Sequence, residues 1–551
     1  MTGERRTFRK SSSRLVSLIR YAINAVIPIS AVNGVKGVME TARSGWPFHW
    51  PDSRQNHPAE GYRRGLVRER ATFWIGVYTK LARDSYRGHH KMTRRAFERR
   101  SFLKETVKSL AALALTRPSC AQQTPIGNAR KLTLNVHDFG AVGNGLTRDT
   151  DSIQQAVDRC DALGGGEVVF PAGTYLSGAV ALRSNTTLRL AATATILGSA
   201  DFADYPVTQV RWEGKWIPGR SGLIYAIDAD HIAIVGAGKI AGNAALGGRP
   251  TPQNPLRHAA LIECIRCRDV RLEDFSTDYR LMWSIHPTSC ENVSIRNLTI
   301  RSTGGNGDGL DIDSCKRVLI DGCDISTGDD CIAIKSGRGS EAYALMETCE
   351  DIQITNCKLA DSIFACIGIG SETSGGIRNV RIENCQFTHA QTFAIYIKTR
   401  VGRGAFIEDI SASGLDVSGT DGGFLRCNAV TSGLQDESPV TGDEGIPTLK
   451  NFRFSNIRVH DCPVLADMTG IHPQKPLDGF SLTDVSGNCA KGIALANIRN
   501  ADVRDIRVTG LTGPVLSIVN VNGLGLEGAA PLNPPKAPNP IPASASPYSL
   551  R

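Results

Sequence analysis

Long apolar segments and an excess of basic charge are both missing from the body of this 551-residue chain. The stretch from Leu15 to Val38 is interrupted by Arg20, Asn24 and Pro28, which excludes it as a bilayer-spanning segment. Residues 1–121 hold 24 Lys+Arg and 8 Asp+Glu, which leaves 39 and 46 for residues 122–551, a net charge of −7 there. The sequence therefore argues against binding of nucleic acid or, after processing, of a membrane.

Metal-binding and disulfide signatures are also incomplete, although the chain has 15 cysteines. The pair Cys264 and Cys267 has the spacing of half a zinc site, but no second half follows at a suitable distance. We therefore predict no metal and no cofactor. Most other cysteines recur at equivalent places of a repeat, which indicates packing positions and not a disulfide framework.

The repeat is a short alternating Val-x-Ile pattern that returns through the second half of the chain. Its clearest copies are Cys290–Ile295, Cys315–Ile320, Cys349–Ile354 and Ile377–Ile382. Weaker copies extend the series from Val270 to Ala501 with steps of 21 to 42 residues. Alternation of this kind predicts strands, and a unit of this length predicts a solenoid. We expect an all-β, right-handed, single-stranded parallel β-helix.

Two ladders support the stacking of these units. Five residues after the centre of successive copies the chain places Cys323, Cys357 and Cys385, which we expect to form one inward column. One position earlier stand Asn297, Asn356 and Asn384, as expected of turns whose amides bond to the next coil. A short helix from Thr150 to Ala162, with Asp149 or Thr150 as its N-cap, is predicted to close the amino-terminal end.

Three aspartates stand in two successive turns of the repeat, at Asp308, Asp329 and Asp330. Stacked coils lie ~4.8 Å apart, so these carboxyl groups should meet. Like charges in one site drive pKa values apart, which suits a pair in which one group holds a proton and another does not. Such a pair can cleave a glycosidic bond, and we expect a carboxyl separation of ~6.5 to 9.5 Å, with room for water.

At these residues the sequence resembles glycoside hydrolase family 28, the polygalacturonases and rhamnogalacturonases. The resemblance spans about Leu134 to Thr509 and rests on the following segments: Asp138–Ala141, Thr150–Ile153, Phe170–Tyr175, Trp283–Pro287, Asp308–Cys315, Gly328–Gly337, Ile369–Gly376 and Ile397–Thr399. It implies that Asp329 is the general acid, that Asp308 and Asp330 activate the attacking water, and that the anomeric centre is inverted. The implied substrate is a pectic polysaccharide that contains galacturonic acid.

The same sector of the repeat carries the residues that we predict to bind substrate: Asn306, Ser371, Glu372, Tyr396, Lys398 and Arg400. Two positions depart from the family pattern. Its Gly-His-Gly, expected near residues 364–366, is missing, and the arginine of its Arg-Ile-Lys motif is Tyr396. Resemblance assigns that arginine to a galacturonate carboxylate beside the cleavage point, whereas a phenol suits a neutral sugar. A rhamnogalacturonan-type substrate is therefore one hypothesis.

Three further readings stay open. His389 is a candidate to substitute for the missing histidine. A β-helix polysaccharide lyase is the first alternative class, although no arginine base accompanies the aspartates convincingly. A non-catalytic carbohydrate-binding solenoid is the second, prompted by the two departures.

The amino-terminal part of the chain predicts export. Glu98–Lys104 contains a twin-arginine motif, and it is followed by the short apolar run Ser109–Leu115 and by Ser119–Ala121, a cleavage signal. We expect residues 92–121 to be a signal peptide read by the twin-arginine machinery, and residues 1–91 to be a disordered upstream extension from a mis-called start. The mature protein should be a periplasmic or extracellular monomer, with a β-helix over 122–527 and a disordered Pro/Ala-rich tail over 528–551.

Overall fold

The computed structural model describes residues 132–246, 255–258 and 260–543. The predictions for residues 1–91 and 92–121 lie outside these ranges. Within them, no helix has both the length and the apolar character needed to cross a bilayer.

The helices are short and sit at the margins of a large sheet structure. The capping helix runs over Thr150–Ala162, as predicted, and buries Ile153, Val157 and Cys160. Asp149 occupies the N-cap position without a side-chain cap bond. Its carboxylate instead accepts backbone N–H bonds from Val142 (2.7 Å) and Gly143 (3.0 Å), so the capping prediction holds for position only. A second α-helix spans Gly339–Leu345, and four 3₁₀ turns span Val136–Phe139, Phe202–Asp204, Ala244–Leu246 and Asp443–Gly445.

The strands form three parallel stacks, which we call stacks one, two and three. Stack one contains Thr133–Asn135, Gly166–Phe170, Thr186–Leu190, Ala233–Val235, Arg268–Glu273, Glu291–Arg296, Lys316–Asp321, Cys349–Thr355 and Ile377–Glu383. Stack two contains Asn144–Arg148, Gly173–Ser177, Ala194–Gly198, Lys239–Ala241, Ser276–Asp278, Thr299–Arg301, Asp324–Ser326, Lys358–Ala360 and Gln386–Phe387. Stack three contains Val180–Ala181, Ile224–Ile227, Ile262–Ile265, Ile285–Thr288, Leu310–Asp313, Ile332–Lys335, Ile367–Ile369, Phe393–Lys398, Gly423–Asn428, Leu516–Leu524 and Ala530–Pro531.

Three long strands bend from one stack into another near the carboxyl end, namely Phe406–Ser418, Thr448–Gly470 and Leu477–Thr509. One antiparallel hairpin interrupts the coils and consists of Val207–Trp212 and Lys215–Arg220. Apart from this hairpin, every described strand pair in the large sheet is parallel, so successive coils of the chain must stack along one axis. The predicted all-β parallel β-helix is thereby confirmed.

The repeat positions stack in the predicted register. Val318 lies opposite Ile352, Ile352 opposite Val380, and Val380 opposite Ile410. These side chains are buried and form a continuous core inside the coils. The described cysteines, including the predicted column, are all buried and free, which fits packing residues and not cross-links.

The carboxyl-terminal segment differs from the predicted disorder as far as residue 543. Ala530 and Pro531 pair with the strand before them, the Pro538 carbonyl accepts a bond from the His472 ring (3.0 Å), and the Ile541 carbonyl accepts one from the Gly442 amide (2.7 Å). Proline lacks an N–H donor, but its carbonyl still accepts, so composition alone misjudged this segment. Residues 544–551 lie outside the described ranges.

Candidate active site

The site forms where two turns lead into neighbouring strands of stack three. Asp308 stands before Leu310–Asp313, and Asp329 and Asp330 stand before Ile332–Lys335. The two strands pair, and the Gly309 amide donates to the Asp330 carbonyl at 3.1 Å. One side-chain oxygen from each aspartate lies within 4.8 Å of the others. The structure thus brings together the three carboxylates that the sequence singled out.

The spacing of the carboxylates differs from the expected one. Their nearest oxygens lie within 4.8 Å, closer than the ~6.5 to 9.5 Å separation expected of an inverting glycosidase. The reason is geometric, because the turns stack directly and Asp330 follows Asp329 in sequence. The distance criterion therefore does not support inversion, which is left to the family resemblance alone.

Asp308 is a buried member of the site. It is 4% exposed, and burial, together with the charges of Asp311 and Asp329, raises its pKa well above the ordinary range. Lys335 stands 3.7 Å from Asp308 and makes a shorter ion pair with Asp311. Burial opposes the charge of Lys335, yet these carboxylates hold its pKa above the ordinary value. Its ammonium also lies 3.8 Å from the centre of the Trp283 ring.

Asp329 and Asp330 are adjacent but differ in their surroundings. Burial, and then the charge of Asp330, raises the pKa of Asp329 to about 6. Asp330 instead contacts the Lys398 ammonium at 2.5 Å and accepts the Ala365 amide at 3.1 Å. Its neighbour Gly368 has no room for a side chain, since a Cβ would lie 2.3 Å from the Asp330 carboxylate. One carboxyl group therefore favours a proton while the other has its charge compensated directly.

This asymmetry is what general acid/base chemistry needs. A group with a pKa near 6 can donate a proton to a departing oxygen, and a paired carboxylate beside it can orient and deprotonate water. The cluster also has the spacing of a cation site, but Lys398 and Lys335 already place two ammonium groups against its carboxylates. Those lysines supply locally the positive charge that a divalent ion would bring.

The predicted substrate-binding residues separate into two groups. Lys398 and Tyr396 face the site from stack three, and Asn306 precedes Asp308 and accepts a bond from Arg257 at 3.2 Å. Ser371, Glu372 and Arg400 instead follow the carboxyl ends of their strands. Among the described contacts, none of these three touches the aspartates.

The second group has structural partners of its own. Arg403 donates to the Ser371 carbonyl at 2.9 Å, and Arg400 donates to the Gly433 carbonyl at 2.5 Å. Burial lowers the pKa of Arg400. Glu372 is buried, and its charge acts on Lys335 and Arg403. A direct binding role for these three residues stays a prediction that the geometry does not favour.

The two departures from the family pattern meet in space. The Phe364 ring stacks on the Tyr396 ring at 5.7 Å with planes 13° apart, and the Lys398 ammonium lies 4.2 Å from the Phe364 centroid. His389, the proposed substitute histidine, faces exposed Asp361 at 3.4 Å. Its described side-chain contacts do not reach the aspartates, so this part of the site is aromatic.

Sequence reasoning missed further residues around the carboxylates. Asp311 and Lys335 lie within two of the segments that carry the family resemblance, but the sequence suggested no role for them. Alternation along the strands could have placed them beside Asp308. The hairpin residue Trp212, which stacks on Trp283 at 4.7 Å, gave no motif signal. Arg426 lies opposite Tyr396 in the register, and only the alignment of coils could have found it.

Stacked turns that hold a proton-donating carboxyl group beside an ion-paired carboxylate, on the face of a parallel β-helix, define a glycosidase-type site. Residues 160–423 match the family described as Glycosyl hydrolases family 28. This part of the chain is similar to that family, and the protein is a glycoside hydrolase.

Alignments with individual proteins cover more residues than the family match does. A probable polygalacturonase of Vitis vinifera is 28% identical over 372 residues, which cover 65% of this chain and 75% of that protein. An exo-poly-alpha-D-galacturonosidase of Dickeya chrysanthemi is 26% identical over 338 residues, which cover 51% of this chain and 54% of that protein.

Solved structures show the same architecture. A hyperthermoactive exopolygalacturonase from Thermotoga maritima is 25% identical, with a TM-score of 0.51 and coverage of 73% of this chain and 96% of that one. A family 28 exopolygalacturonase of Yersinia enterocolitica is 22% identical, with a TM-score of 0.60 and coverage of 73% and 80%. The second likeness concerns the fold alone.

Proposed function

We propose that this glycoside hydrolase cleaves pectic polysaccharide that contains galacturonic acid. The observation that carries the proposal is the unequal carboxyl pair, in which Asp329 has a pKa raised to about 6 while Asp330 is paired with Lys398. The names of the relatives, polygalacturonase and exo-poly-alpha-D-galacturonosidase, supply the substrate class.

In the proposed reaction, the Asp329 carboxyl donates its proton to the glycosidic oxygen as the bond to the anomeric carbon breaks. Asp330 accepts a proton from the attacking water, whose oxygen forms the new bond to that carbon, and Asp308, whose pKa is also raised, helps to activate that water by orienting it. Inversion of the anomeric centre is part of the proposal through the family resemblance. Proton NMR of the first product formed from a defined oligosaccharide tests it, since retention of the anomer would contradict it.

The hairpin supports attack near a chain end. Arg211 pairs with Asp313 at 3.3 Å, Trp212 stacks on Trp283, and the Arg338 amide donates to the Gly214 carbonyl at 3.2 Å. The hairpin thus contacts stack three from the coil of Trp283 to the coil of Asp329 and Asp330, and we propose that it limits how far a long polysaccharide can extend on that side. We expect monosaccharide or another single short product from the earliest time points, whereas a broad ladder of oligosaccharides would indicate internal cleavage.

The decisive experiment combines two readouts on homogalacturonan and rhamnogalacturonan oligosaccharides. New reducing ends without ultraviolet absorbance from an unsaturated product indicate hydrolysis, and that absorbance would indicate a lyase. Faster cleavage of rhamnogalacturonan would support the substrate suggested by Tyr396, and faster cleavage of homogalacturonan would refute it. Absence of any cleavage, with retained binding, would favour the non-catalytic solenoid.

We also propose export through the twin-arginine machinery, supported by Arg99 and Arg100 ahead of an apolar run and a cleavage signal. The double substitution of both arginines by lysine should hold the precursor in the cytoplasm. Mass spectrometry of the exported protein should find Gln122 at its amino terminus; a different terminus would move the proposed cleavage point.

A further inference from the structure

Arg426 lies opposite Tyr396 in the register of stack three, a position that bears on substrate choice. In stack three, Gly368 lies opposite Tyr396, and Tyr396 lies opposite Arg426 on the next coil. The Arg426 guanidinium carbon stands 5.4 Å from the Tyr396 ring centre and 5.5 Å from that of Phe393. Two aromatic rings therefore hold a cation beside the position where the family arginine is absent.

The charge of Arg426 is only partly compensated. Its nearest carboxylate is Asp467, whose oxygen lies 3.6 Å from Nε, beyond hydrogen-bond distance. Asp467 already accepts bonds from Thr469 through its other oxygen. Among the residues that the structure describes, the Arg426 guanidinium makes no hydrogen bond, although its side chain is 39% exposed. The group is thus positioned and has donors to offer.

A cavity adjoins this guanidinium on the side away from the aspartates. It has a volume of about 90 Å³, and Arg426, Asn428, Asp467 and Thr469 line it together with Lys536 of the carboxyl-terminal segment. A second cation and neighbouring hydroxyl and amide groups suit an anionic, hydroxylated ligand. The segment that was expected to be disordered therefore helps to build a wall of the groove.

We propose that Arg426 is a specificity-determining residue that binds the carboxylate of a uronic acid, one coil farther from the aspartates than the missing family arginine. The inference rests on the proposed function and deepens it. The Phe364–Tyr396 pair then lies between Arg426 and the cleavage point, where an aromatic surface favours a neutral sugar. The preferred substrate places a neutral sugar next to the scissile bond and an acidic one beyond it.

Three coil steps separate Ala333, in the strand that follows Asp330, from Arg426. At ~4.8 Å per step this is roughly 14 Å along the groove. Arg426 is therefore too far to take part in proton transfer. Its removal should weaken binding of acidic substrate without altering the chemical step.

The test compares the full-length protein with Arg426→Ala, Arg426→Lys and the control Arg458→Ala, an exposed arginine that pairs with Asp416 outside stack three. Substrates are an acidic oligosaccharide with alternating neutral and uronic acid units and the same compound with its carboxyl groups reduced to alcohols. For Arg426→Ala we expect KM for the acidic compound to rise roughly tenfold or more, with kcat nearly unchanged. The reduced compound should show no such rise, Arg426→Lys should recover part of the affinity, and Arg458→Ala should match wild type.

An equal rise in KM on both compounds, or no rise on either, would overturn the proposal. Asp467→Asn provides the second arm, because removal of the competing carboxylate should lower KM for the acidic compound. If Asp467→Asn instead weakens binding or melting temperature as much as Arg426→Ala does, the pair is purely structural and the proposal is wrong. Failure of the proposed function has a different signature, namely no reducing ends from wild type on any of these oligosaccharides.

Discussion

Replacement of Asp329 by asparagine should make the protein more stable while it removes most of the activity. Burial and the neighbouring Asp330 raise the pKa of Asp329 from 3.8 to about 6. A shift of this size corresponds to roughly 3 kcal/mol between the two protonation states. Because the folded pKa is the higher one, the stabilisation exists at low pH and is lost as pH rises through the window from about 4 to 6.

The asparagine variant lacks this titration. Below about pH 4 it should resemble wild type, the difference should grow between about pH 4 and 6, and above pH 6 the variant should exceed wild type in unfolding free energy by up to about 3 kcal/mol. Denaturant unfolding of both proteins at several pH values measures the difference. The release of reducing ends should fall by about 10²- to 10⁴-fold, since the proton donor is gone.

The matched control is Asp505→Asn. Asp505 is exposed and has a φ of 56°, which asparagine adopts readily, so this variant removes one carboxylate without touching the site. It should change neither activity nor the pH dependence of stability. Parallel stability curves for wild type and Asp329→Asn across pH 4 to 7 would refute the assignment of the raised pKa, and retained activity would refute the acid role.

Three further outcomes are expected. Lys398→Met leaves the buried Asp330 unpaired, so it should lower the unfolding free energy by about 3–5 kcal/mol, and addition of Asp330→Asn should restore stability but not activity. The value of kcat/KM should decline as pH rises through about 6, where Asp329 loses its proton; a flat profile to pH 8 would contradict it. Because the described cysteines are free, a thiol reductant should leave the melting temperature unchanged, and a clear decrease would reveal cross-links.

Much of the fold could be predicted from the sequence because the patterns that indicate it are local and repeated. The Val-x-Ile pattern and the recurring asparagines each occur many times, and stacking places like on like, as with Val318 opposite Ile352. The aspartates could be grouped for the same reason, since equivalent turns of successive coils must meet. Their surroundings were less predictable, because the nearest cations, Lys335 and Lys398, end strands that lie two coils apart, and the sequence does not say which carboxylate each one will pair with.

Features that depend on contacts across irregular segments could not be derived. The hairpin that carries Trp212 is an insertion, and nothing in its composition says which coils it will cover. The tail near Pro538 looked disordered because proline and alanine offer few donors, yet its carbonyls accept bonds from the coils. The predicted separation of the carboxylates was also wrong, because the stacking distance along the axis does not set the separation of side-chain oxygens.

The two departures from the family pattern lie 32 residues apart in sequence, at Phe364 and Tyr396, and the sequence analysis treated them as separate losses of a histidine and an arginine. In the structure their rings stack, and Lys398 lies over the first of them. Loss of the histidine alone, or of the arginine alone, would leave the remaining polar side chain against an aromatic ring. Replacement of both by aromatic residues gives two rings that pack on each other. That coupling favours an altered neighbouring sugar over a decayed active site, because Asp329, Asp330 and Lys398 keep their mutual arrangement beside it.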